Sequence, residues 1–378
     1  MTFFQNISKL LFLLSALFLV SCGQKTHNFE SEKNDTVVWR HASLLTMVET
    51  DSFTLVSIEN PWKSGSVLHK YVLVPRKSPL PNNLPEGTIV RTPIERVIAF
   101  TSVHASLLCD LHSEKSLVGV CDAEYIMRPE VLEGLKTGKI ADLGSAMQPD
   151  MERLVGAKGE ALLVSPFQNN TFGVLEDLNI PIIECADYME RSPLGRAEWM
   201  RFYGRLFGEE VRADSLFAEV EKRYLDIKEK AGRANHRPRL MIDTQLGSVW
   251  FVPGGNSTMG RIYEDAGADY IFSYLDESGS VSLSFETVYA KAADADIWIM
   301  KYGSPQDYTY ETLRNDDRRY ADFRPWKQRR VFGCNTSRTP FYDDVPFHPD
   351  VFLKEVLRVC HPELCDTDFV PCYIFPLK

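Results

Sequence analysis

Short apolar runs alternate with amphipathic stretches over residues 94–208. The strand-like runs are residues 96–100, 117–120, 161–165 and 181–184. The helix-like stretches are residues 102–111, 151–155 and 174–178, and Ser102 is placed to cap the first of them. Apolar strands that alternate with helices are typical of a parallel sheet covered on both faces. The pattern therefore predicts an α/β lobe.

A second alternating set occupies residues 235–378. Its strand-like runs are residues 239–243, 248–252, 297–300 and 330–332. Its helix-like stretches begin near Thr258 and cover residues 286–293 and 349–360. This set predicts a second α/β lobe of the same kind.

One long amphipathic helix is predicted between the two sets, within residues 209–234. Its apolar side chains lie on one face: Ala213, Leu216, Phe217, Val220, Tyr224, Ile227 and Ala231. A helix over residues 210–233 is roughly 36 Å long, which is longer than a strand-to-strand crossover requires. We therefore expect it to join the two lobes, with Gly232 and Pro238 ending it.

The stretch 37–93 has the alternation of β-strands rather than of helices. Residues 54–58 and 71–74 are strand-like, and the turn-rich segment 60–65 separates them. We expect a small antiparallel sheet in front of the main body.

The first 21 residues have the order of a secretory signal: Lys9, an apolar run at 10–20, then Ser21 before Cys22. About eleven helical residues rise only ~16 Å, which is too short to cross a bilayer. Residues 19–22 resemble a bacterial lipobox, which implies that Cys22 is acylated; the alternative is an ordinary signal with a chance cysteine. Residues 22–36 then form a polar tether, and a lipid is the only membrane attachment that we expect.

Charge and cysteine content narrow the functional classes. The formal net charge is −10, and the signal segment carries one lysine and no acid, so the mature chain is expected at −11. An acidic chain without a Lys/Arg cluster is not expected to bind nucleic acid. After Cys22 seven cysteines remain, an odd number: Cys109, Cys121, Cys185, Cys334, Cys360, Cys365 and Cys372. One disulfide among the last three is compatible with their spacing, but the sequence does not assign it.

Catalytic and metal signatures are not found. The chain has no Gly-x-Ser-x-Gly elbow, no His-Glu-x-x-His and no Gly-Lys-Ser phosphate loop. The Asp343-Asp344 pair is interpreted as solvated. His104, Met147 and Tyr125 are candidate haem or metal ligands, but a lone loop histidine is more often a hydrogen-bonding residue, so no metal site and no cofactor are predicted.

Several segments, in order, resemble the periplasmic binding proteins that capture cobalamin and ferric siderophores. They are residues 96–105, 144–152, 180–182, 253–257 and 284–288, and the resemblance covers roughly residues 93–364. It implies two Rossmann-like lobes with central parallel sheets, joined by the long helix, with ligand held in the cleft between them. It also implies an ABC permease and its ATPase as partners, and carries Glu152 and Glu286 over as the surface acids that dock onto the permease.

The cleft residues follow from topology, because ligands bind at the carboxyl ends of parallel strands. The predicted ligand-binding residues are Ser102, His104, Tyr125, Met147, Phe167, Gln168, Asn256, Tyr302, Arg338, Phe341 and Tyr342. Aromatic rings mixed with Arg and amide groups suit a metal chelate, either a ferric siderophore-like complex, a corrinoid or haem, better than a bare ion. We predict a monomeric, non-catalytic capture lipoprotein of the cell envelope that faces the periplasm or the exterior. The alternatives are an envelope sensor or adhesin that uses the same cleft, and a secreted hydrolase.

Overall fold

The structure is a computed structural model that describes residues 35–169, 171–366 and 368–378. The predicted signal segment, the lipidation site Cys22 and nearly all of the tether lie outside the described residues. Within the described part of the chain, no helix combines the length and the apolar character needed to cross a membrane.

The N-terminal extension is a five-stranded sheet with the spatial order β1-β2-β3-β4-β5. Its strands are β1 (Asp35–Thr36), β2 (Leu45–Glu49), β3 (Thr54–Glu59), β4 (Val67–Pro75) and β5 (Thr88–Thr92). The first four strands pair antiparallel, but β5 runs parallel to β4. The expectation of a purely antiparallel sheet is therefore wrong. The reason is the twelve-residue connection 76–87, which contains three prolines and is long enough to return the chain to the same end of the sheet.

The first lobe has a five-stranded, fully parallel sheet with the order β12-β11-β6-β7-β8. Its strands are β6 (Val97–Ala99), β7 (Leu117–Val120), β8 (Ala141–Asp142), β11 (Ala161–Val164) and β12 (Ile182–Glu184), with a separate hairpin of β9 (Gly144–Ser145) and β10 (Gln148–Pro149). Its helices are α1 (Ser102–Asp110), α2 (Pro129–Lys136), α3 (Met151–Ala157), α4 (Pro193–Glu198) and α5 (Met200–Phe207). Every residue of β6, β7 and β11 is buried, as helices on both faces require.

Two local predictions for this lobe differ from the structure. Thr101, not Ser102, caps α1: the Thr101 side chain accepts a hydrogen bond from the His104 N–H, and Ser102 is the first helical residue. The predicted helix near 174–178 is a 3₁₀ helix, Gly173–Leu178.

The long helix α6 (Glu210–Ala231) leads to the second lobe, whose five-stranded sheet has the order β16-β13-β18-β19-β20. Its strands are β13 (Arg239–Ile242), β16 (Asp269–Tyr270), β18 (Ile297–Tyr302), β19 (Val331–Asn335) and the antiparallel edge β20 (Phe375–Pro376). A side sheet holds β14 (Gln245–Leu246), β15 (Val249–Pro253) and β17 (Ser280–Leu283). The helices are α7 (Thr258–Asp265), α8 (Phe285–Ala292), α9 (Tyr310–Asp316), α10 (Arg324–Lys327), α11 (Phe341–Asp344) and α12 (Pro349–Cys360).

Helix α6 is bonded to both lobes. On the side of the first lobe, Asp214 of α6 accepts from Arg201 Nε at 2.9 Å. On the side of the second lobe, the Tyr224 hydroxyl donates to Asp265 of α7 at 2.8 Å, and Arg223 pairs with Asp350 of α12 at 2.6 Å. The helix is thus a continuous strut between the lobes.

The extension packs against the first lobe through buried carboxylates. Glu198 of α4 is fully buried and accepts hydrogen bonds from the backbone N–H groups of residues 40–42 at 2.8–3.1 Å. Glu190 accepts in the same way from residues 43–44. A buried charge is tolerated where hydrogen bonds satisfy it, so these contacts fix the extension firmly to the lobe.

Candidate functional site

The two lobes meet where the carboxyl ends of their parallel strands face each other. Helix α11 of the second lobe lies against α1 of the first. The Met127 N–H donates to Asp343 Oδ2 at 2.9 Å, Arg128 lies 3.4 Å from Asp344, and His348 Nε2 lies 2.9 Å from Asp110 Oδ2. We call these three contacts the interlobe latch.

The latch corrects the interpretation of the Asp343-Asp344 pair as solvated. Asp343 is only 3% exposed, and burial raises the pKa of both carboxyl groups above the usual value, against the lowering effects of Arg128 and of the Met127 N–H. The sequence could not show this, because the helix that covers the pair lies more than 200 residues earlier in the chain.

Beside the latch, the lobes enclose a cavity of about 150 Å³, here called the interlobe cavity. It is lined by Pro193 and Arg196 of α4, by Thr258, Met259 and Ile262 of α7, by Lys301 at the end of β18, and by Phe341, Tyr342, Val345, Pro346 and Pro349 around α11. Tyr342 is 51% exposed, so the cavity communicates with solvent. Its wall is mostly apolar and carries two cations, one from each lobe.

The cation of the second lobe is Lys301. Its ammonium donates to both carboxylate oxygens of Asp243, at 2.7 and 2.8 Å. Burial acts to lower the pKa of Lys301, but the attraction of Asp243 outweighs it, so the net pKa is raised and the side chain stays charged. Asp243 directly follows β13 and has a left-handed backbone, with φ of 58°. Such strain in a residue with a side chain recurs at ligand sites.

The cation of the first lobe is Arg196, which is held by a buried network. Its Nε donates to Asp187 Oδ2 at 3.0 Å. The other oxygen, Oδ1, lies 3.0 Å from His104 Nε2 and accepts from the Tyr203 hydroxyl at 3.0 Å. Burial acts to lower the pKa of His104, but the neighbouring Cys185 and Asp187 outweigh it and raise the pKa to about 10. Arg196 and His104 therefore share the single carboxylate of Asp187.

The predicted site residues fall into separate groups in the structure. Phe341 and Tyr342 line the interlobe cavity. Tyr125, Met147, Phe167 and Gln168 are exposed on loops at the carboxyl edge of the first sheet, and Met147 is 84% exposed at the tip of the β9–β10 hairpin. We call these loops the rim, and none of these four residues lines the interlobe cavity.

Tyr302 and Arg338 line a different cavity, of about 310 Å³, within the second lobe. There the Tyr302 ring stacks on Tyr308 at 4.2 Å, and Arg338 pairs with Asp307 at 3.1 Å. The chain end at residues 375–378 forms another wall. The structure therefore does not bring these two residues to the interlobe cavity.

The three other predicted ligand residues are engaged in internal contacts. His104 is 2% exposed, with Nδ1 2.6 Å from the Thr101 hydroxyl and Nε2 facing Asp187. Ser102 is 8% exposed beneath α11. Asn256 accepts from Arg261 at 2.6 Å and donates to the Asp276 carbonyl at 3.0 Å. In this arrangement His104 acts through Asp187 rather than by facing the cleft.

The predicted docking acids occupy matching positions in the two lobes. Glu152 and Glu286 are both exposed in the first turn of a helix, α3 and α8 respectively. Side-chain caps at Asp150 and Ser284 fix these helix starts. The Glu286 side chain is 77% exposed and lies 3.6 Å from Arg319.

The seven cysteines within the described residues are free thiols, with Cys360 buried, Cys365 half-buried and Cys372 exposed. Within the described residues, no group of three or more His, Cys, Asp or Glu side chains is arranged to hold a metal ion.

The sequence analysis did not name Arg196, Asp187, Asp243 or Lys301 as site residues. One signal was available: Lys301 directly follows the apolar run 297–300, where a buried lysine requires an acidic partner. Asp243 occupies the corresponding place after β13, but their pairing across 58 positions is not visible in the sequence.

Known proteins give a consistent comparison. The family model for periplasmic binding proteins matches residues 97–337, more than half of the chain. This lies within the region whose motifs indicated that family, so the resemblance is confirmed. An uncharacterized lipoprotein of Methanocaldococcus jannaschii is 25% identical over 361 residues, which cover 88% of this chain and 84% of that protein.

Solved structures agree on the fold. A periplasmic heme-binding protein from Pseudomonas aeruginosa superposes with a TM-score of 0.58 at 15% identity, covering 75% of this chain and 98% of that one. An ABC-type Fe3+-hydroxamate transport system protein from Saccharomonospora viridis gives 0.56 at 17% identity, covering 71% and 93%. Two α/β lobes joined by a long helix are thus the shared architecture, and the fold class predicted from the sequence is confirmed.

Proposed function

The chain belongs to the periplasmic binding protein family, and on that premise we propose that it is the substrate-binding lipoprotein of an ABC importer. It captures a metal chelate between its lobes and delivers it to a permease, whose ATPase drives import. The observation that carries the proposal is the interlobe cavity, which combines an apolar wall with one cation from each lobe at the carboxyl ends of the sheets.

The proposed cargo is larger than the cavity itself. A cavity of about 150 Å³ is below the roughly 300–1,000 Å³ of a site that encloses a whole small molecule. The exposed rings of Tyr125, Phe167 and Tyr342, with Met147, provide a further apolar surface at the rim. The proposed cargo is a ferric siderophore-like complex, a corrinoid or haem. One part of it would enter the cavity, and the remainder would pack against this rim. Nothing in this arrangement calls for chemistry on the cargo.

Lipid anchoring is part of the same proposal. Cys22 follows a signal-like segment in the sequence, and the similar protein from Methanocaldococcus jannaschii is named a lipoprotein. The anchor would keep a monomeric binding protein at the membrane, facing the periplasm or the exterior, close to its permease.

Docking onto the permease is proposed for Glu152 and Glu286. Both are exposed, one on each lobe, and both lie in the first turn of a helix whose N-terminal end is fixed by a side-chain cap. An acidic pair on a rigid frame suits a partner that presents two basic patches, because exposed charges steer association and set its orientation.

A thermal-shift screen of the mature chain tests the proposed function. The panel would contain ferric siderophores of the hydroxamate and catecholate types, haem and cobalamin, each with its metal-free form as the control. A specific ligand at 100 times its dissociation constant adds roughly 2.7 kcal/mol to the free energy of unfolding. We expect at least one metal chelate to raise the melting temperature while its metal-free form does not.

The same screen separates the rival functions. No response to any chelate would contradict capture and favour the envelope sensor or adhesin. Release of a chemically altered compound from any panel member would instead indicate an enzyme.

A further inference from the structure

We infer that the interlobe cavity is a binding site for an anionic, oxygen-bearing arm of the cargo, such as a carboxylate, held between Arg196 and Lys301. The inference rests on the proposed function and narrows it: the cargo is an anionic chelate rather than one whose side chains are neutral amides. The two cations come from different lobes, so the bound arm would bridge them.

The unused hydrogen-bond donors of Arg196 and Lys301 support an anion-binding site in the interlobe cavity. Arg196 uses only its Nε in the bond to Asp187, and none of its four terminal N–H groups has an acceptor among the residues that the structure describes. Lys301 gives two of its three donors to Asp243. Both side chains line the same small cavity, so one bound group can reach both.

The local charge points the same way, although the whole chain is acidic. Asp243 balances Lys301, whereas Asp187 faces both Arg196 and His104. Arg196 therefore shares its carboxylate partner with a second cationic side chain. Bidentate pairing of a guanidinium with a carboxylate is the geometry in which arginine binds most strongly.

Size and wall composition describe the rest of the arm. A cavity of about 150 Å³ is large enough for a group the size of benzene. Met259, Ile262 and Phe341 would contact the apolar part of such a group, while the cations hold its charged end. Benzoate is therefore the simplest probe of the site, and benzamide is its neutral counterpart of nearly equal shape.

The experiment measures the binding of benzoate and benzamide to the mature chain by ligand-observed NMR and by thermal shift. We expect benzoate to bind at least tenfold more tightly than benzamide. Arg196→Gln should lower benzoate affinity at least tenfold and leave benzamide unchanged, and Arg196→Lys should restore part of the loss. Arg153→Gln, which removes an exposed arginine from the same lobe, serves as the matched control and should change neither affinity.

A second variant tests the contribution of Lys301 to benzoate binding without unfolding the protein. Loss of the Lys301 ammonium alone would leave the half-buried Asp243 carboxylate without its cationic partner, so the double variant Asp243→Asn with Lys301→Gln keeps a neutral hydrogen-bonding pair. This variant should melt as a single cooperative unit and still lose benzoate affinity at least tenfold. Equal binding of benzoate and benzamide, or full benzoate affinity in both cation variants, would overturn the inference.

The outcomes also separate this inference from the proposed function. If a corrinoid with neutral amide side chains stabilises the protein but benzoate binds no more tightly than benzamide, the capture function is supported and the anion site is contradicted. Benzoate selectivity without stabilisation by any chelate would keep the anion site and remove the chelate cargo.

Discussion

At the scale of single residues, the group that controls the candidate site is the buried His104–Asp187 pair. His104 has two ring nitrogens in hydrogen-bonding contact, with Thr101 and Asp187, and only 2% of its surface is exposed. Asp187 in turn orients Arg196. His104 is therefore a positioning residue, and its protonation is tied to the stability of the first lobe.

The raised pKa of His104 predicts a specific pH dependence of stability. The folded pKa is about 10 and the unfolded value is roughly 6.5, so the stabilisation is complete below pH 6.5 and is lost as the pH rises towards 10. Each pH unit in this window removes up to about 1.4 kcal/mol. Urea denaturation at pH 6.0, 8.0 and 9.5 should show a steeper loss for the wild type than for His104→Gln.

An exposed histidine provides the control for this experiment. His236→Gln changes a histidine on the surface of the second lobe and should reproduce the wild-type dependence. If the free energy of unfolding of His104→Gln fell with rising pH as steeply as that of the wild type, the prediction of an ionised His104–Asp187 pair would be wrong.

The sequence alone could not assign the roles of individual residues in the candidate site. It named His104, Phe341 and Tyr342 as ligand-binding residues, but it could not distinguish a ring that lines a cavity from one that faces a buried carboxylate. His104 and Asp187 are 83 positions apart, and no local pattern connects them. Partners at such separations are set by the packing of the lobe.

At the scale of elements, the close approach of α5 to α6 fixes the long helix to the first lobe. Gly204 of α5 is buried, and a Cβ atom added there would lie 2.4 Å from Ala213 Cβ on α6 and 3.0 Å from the Glu209 carbonyl oxygen. Only a residue without a side chain allows the two helices to pack so closely.

Gly204→Ala is therefore expected to lower the free energy of unfolding by roughly 1–3 kcal/mol through overpacking. Gly156→Ala in α3 is the matched change: nothing lies within 4 Å of the added atom, and it should stabilise by roughly 0.5–1 kcal/mol. Chemical denaturation of both variants checks the pair.

A compensating variant makes this prediction specific. Ala213→Gly combined with Gly204→Ala removes the opposing atom and should recover part of the loss, as residues in direct contact do not act additively. Equal effects of alanine at positions 204 and 156 would contradict the packing argument.

Element prediction succeeded where one physical pattern dominated. Helix α6 spans 22 residues, and its bounds were predicted within two residues because its apolar face repeats without interruption from Ala213 to Ala231. The parallel pairing of β5 was missed, since pairing direction depends on where the proline-containing connection 76–87 takes the chain. The strand 248–252 was recognised, but it lies in the side sheet and not in the central one.

At the scale of the whole molecule, the proposed docking predicts a separation of binding from transport. The double variant Glu152→Ala with Glu286→Ala should keep its chelate affinity, because neither side chain lines the interlobe cavity. Uptake of the radiolabelled chelate should fall at least tenfold. Glu133→Ala, which removes another exposed acid of the first lobe, is the control for general charge loss. Unchanged uptake by the double variant would exclude these two acids as the docking pair.

Relative motion of the lobes is limited by two features that act together. Helix α6 is continuous and is bonded to both lobes, and the interlobe latch joins α1 and the segment before α2 to the α11 region. A hinge requires a few residues that absorb large backbone changes, and a bonded helix offers none. We therefore expect closure by only a few degrees, with nearly superimposable small-angle scattering profiles before and after ligand addition.

Loosening the latch should release part of this restraint. Asp343→Ala with His348→Ala removes two of its three contacts, so the free protein should sample more open arrangements, with a measurably larger radius of gyration. Adding the chelate with the largest thermal shift should then compact the variant more than the wild type. Glu229→Ala with Arg233→Ala deletes an exposed ion pair at the C-terminal end of α6 and should leave the profile unchanged. A large compaction of the wild type would show instead that neither the helix nor the latch restrains the lobes, because the restraint predicted here acts before any ligand binds.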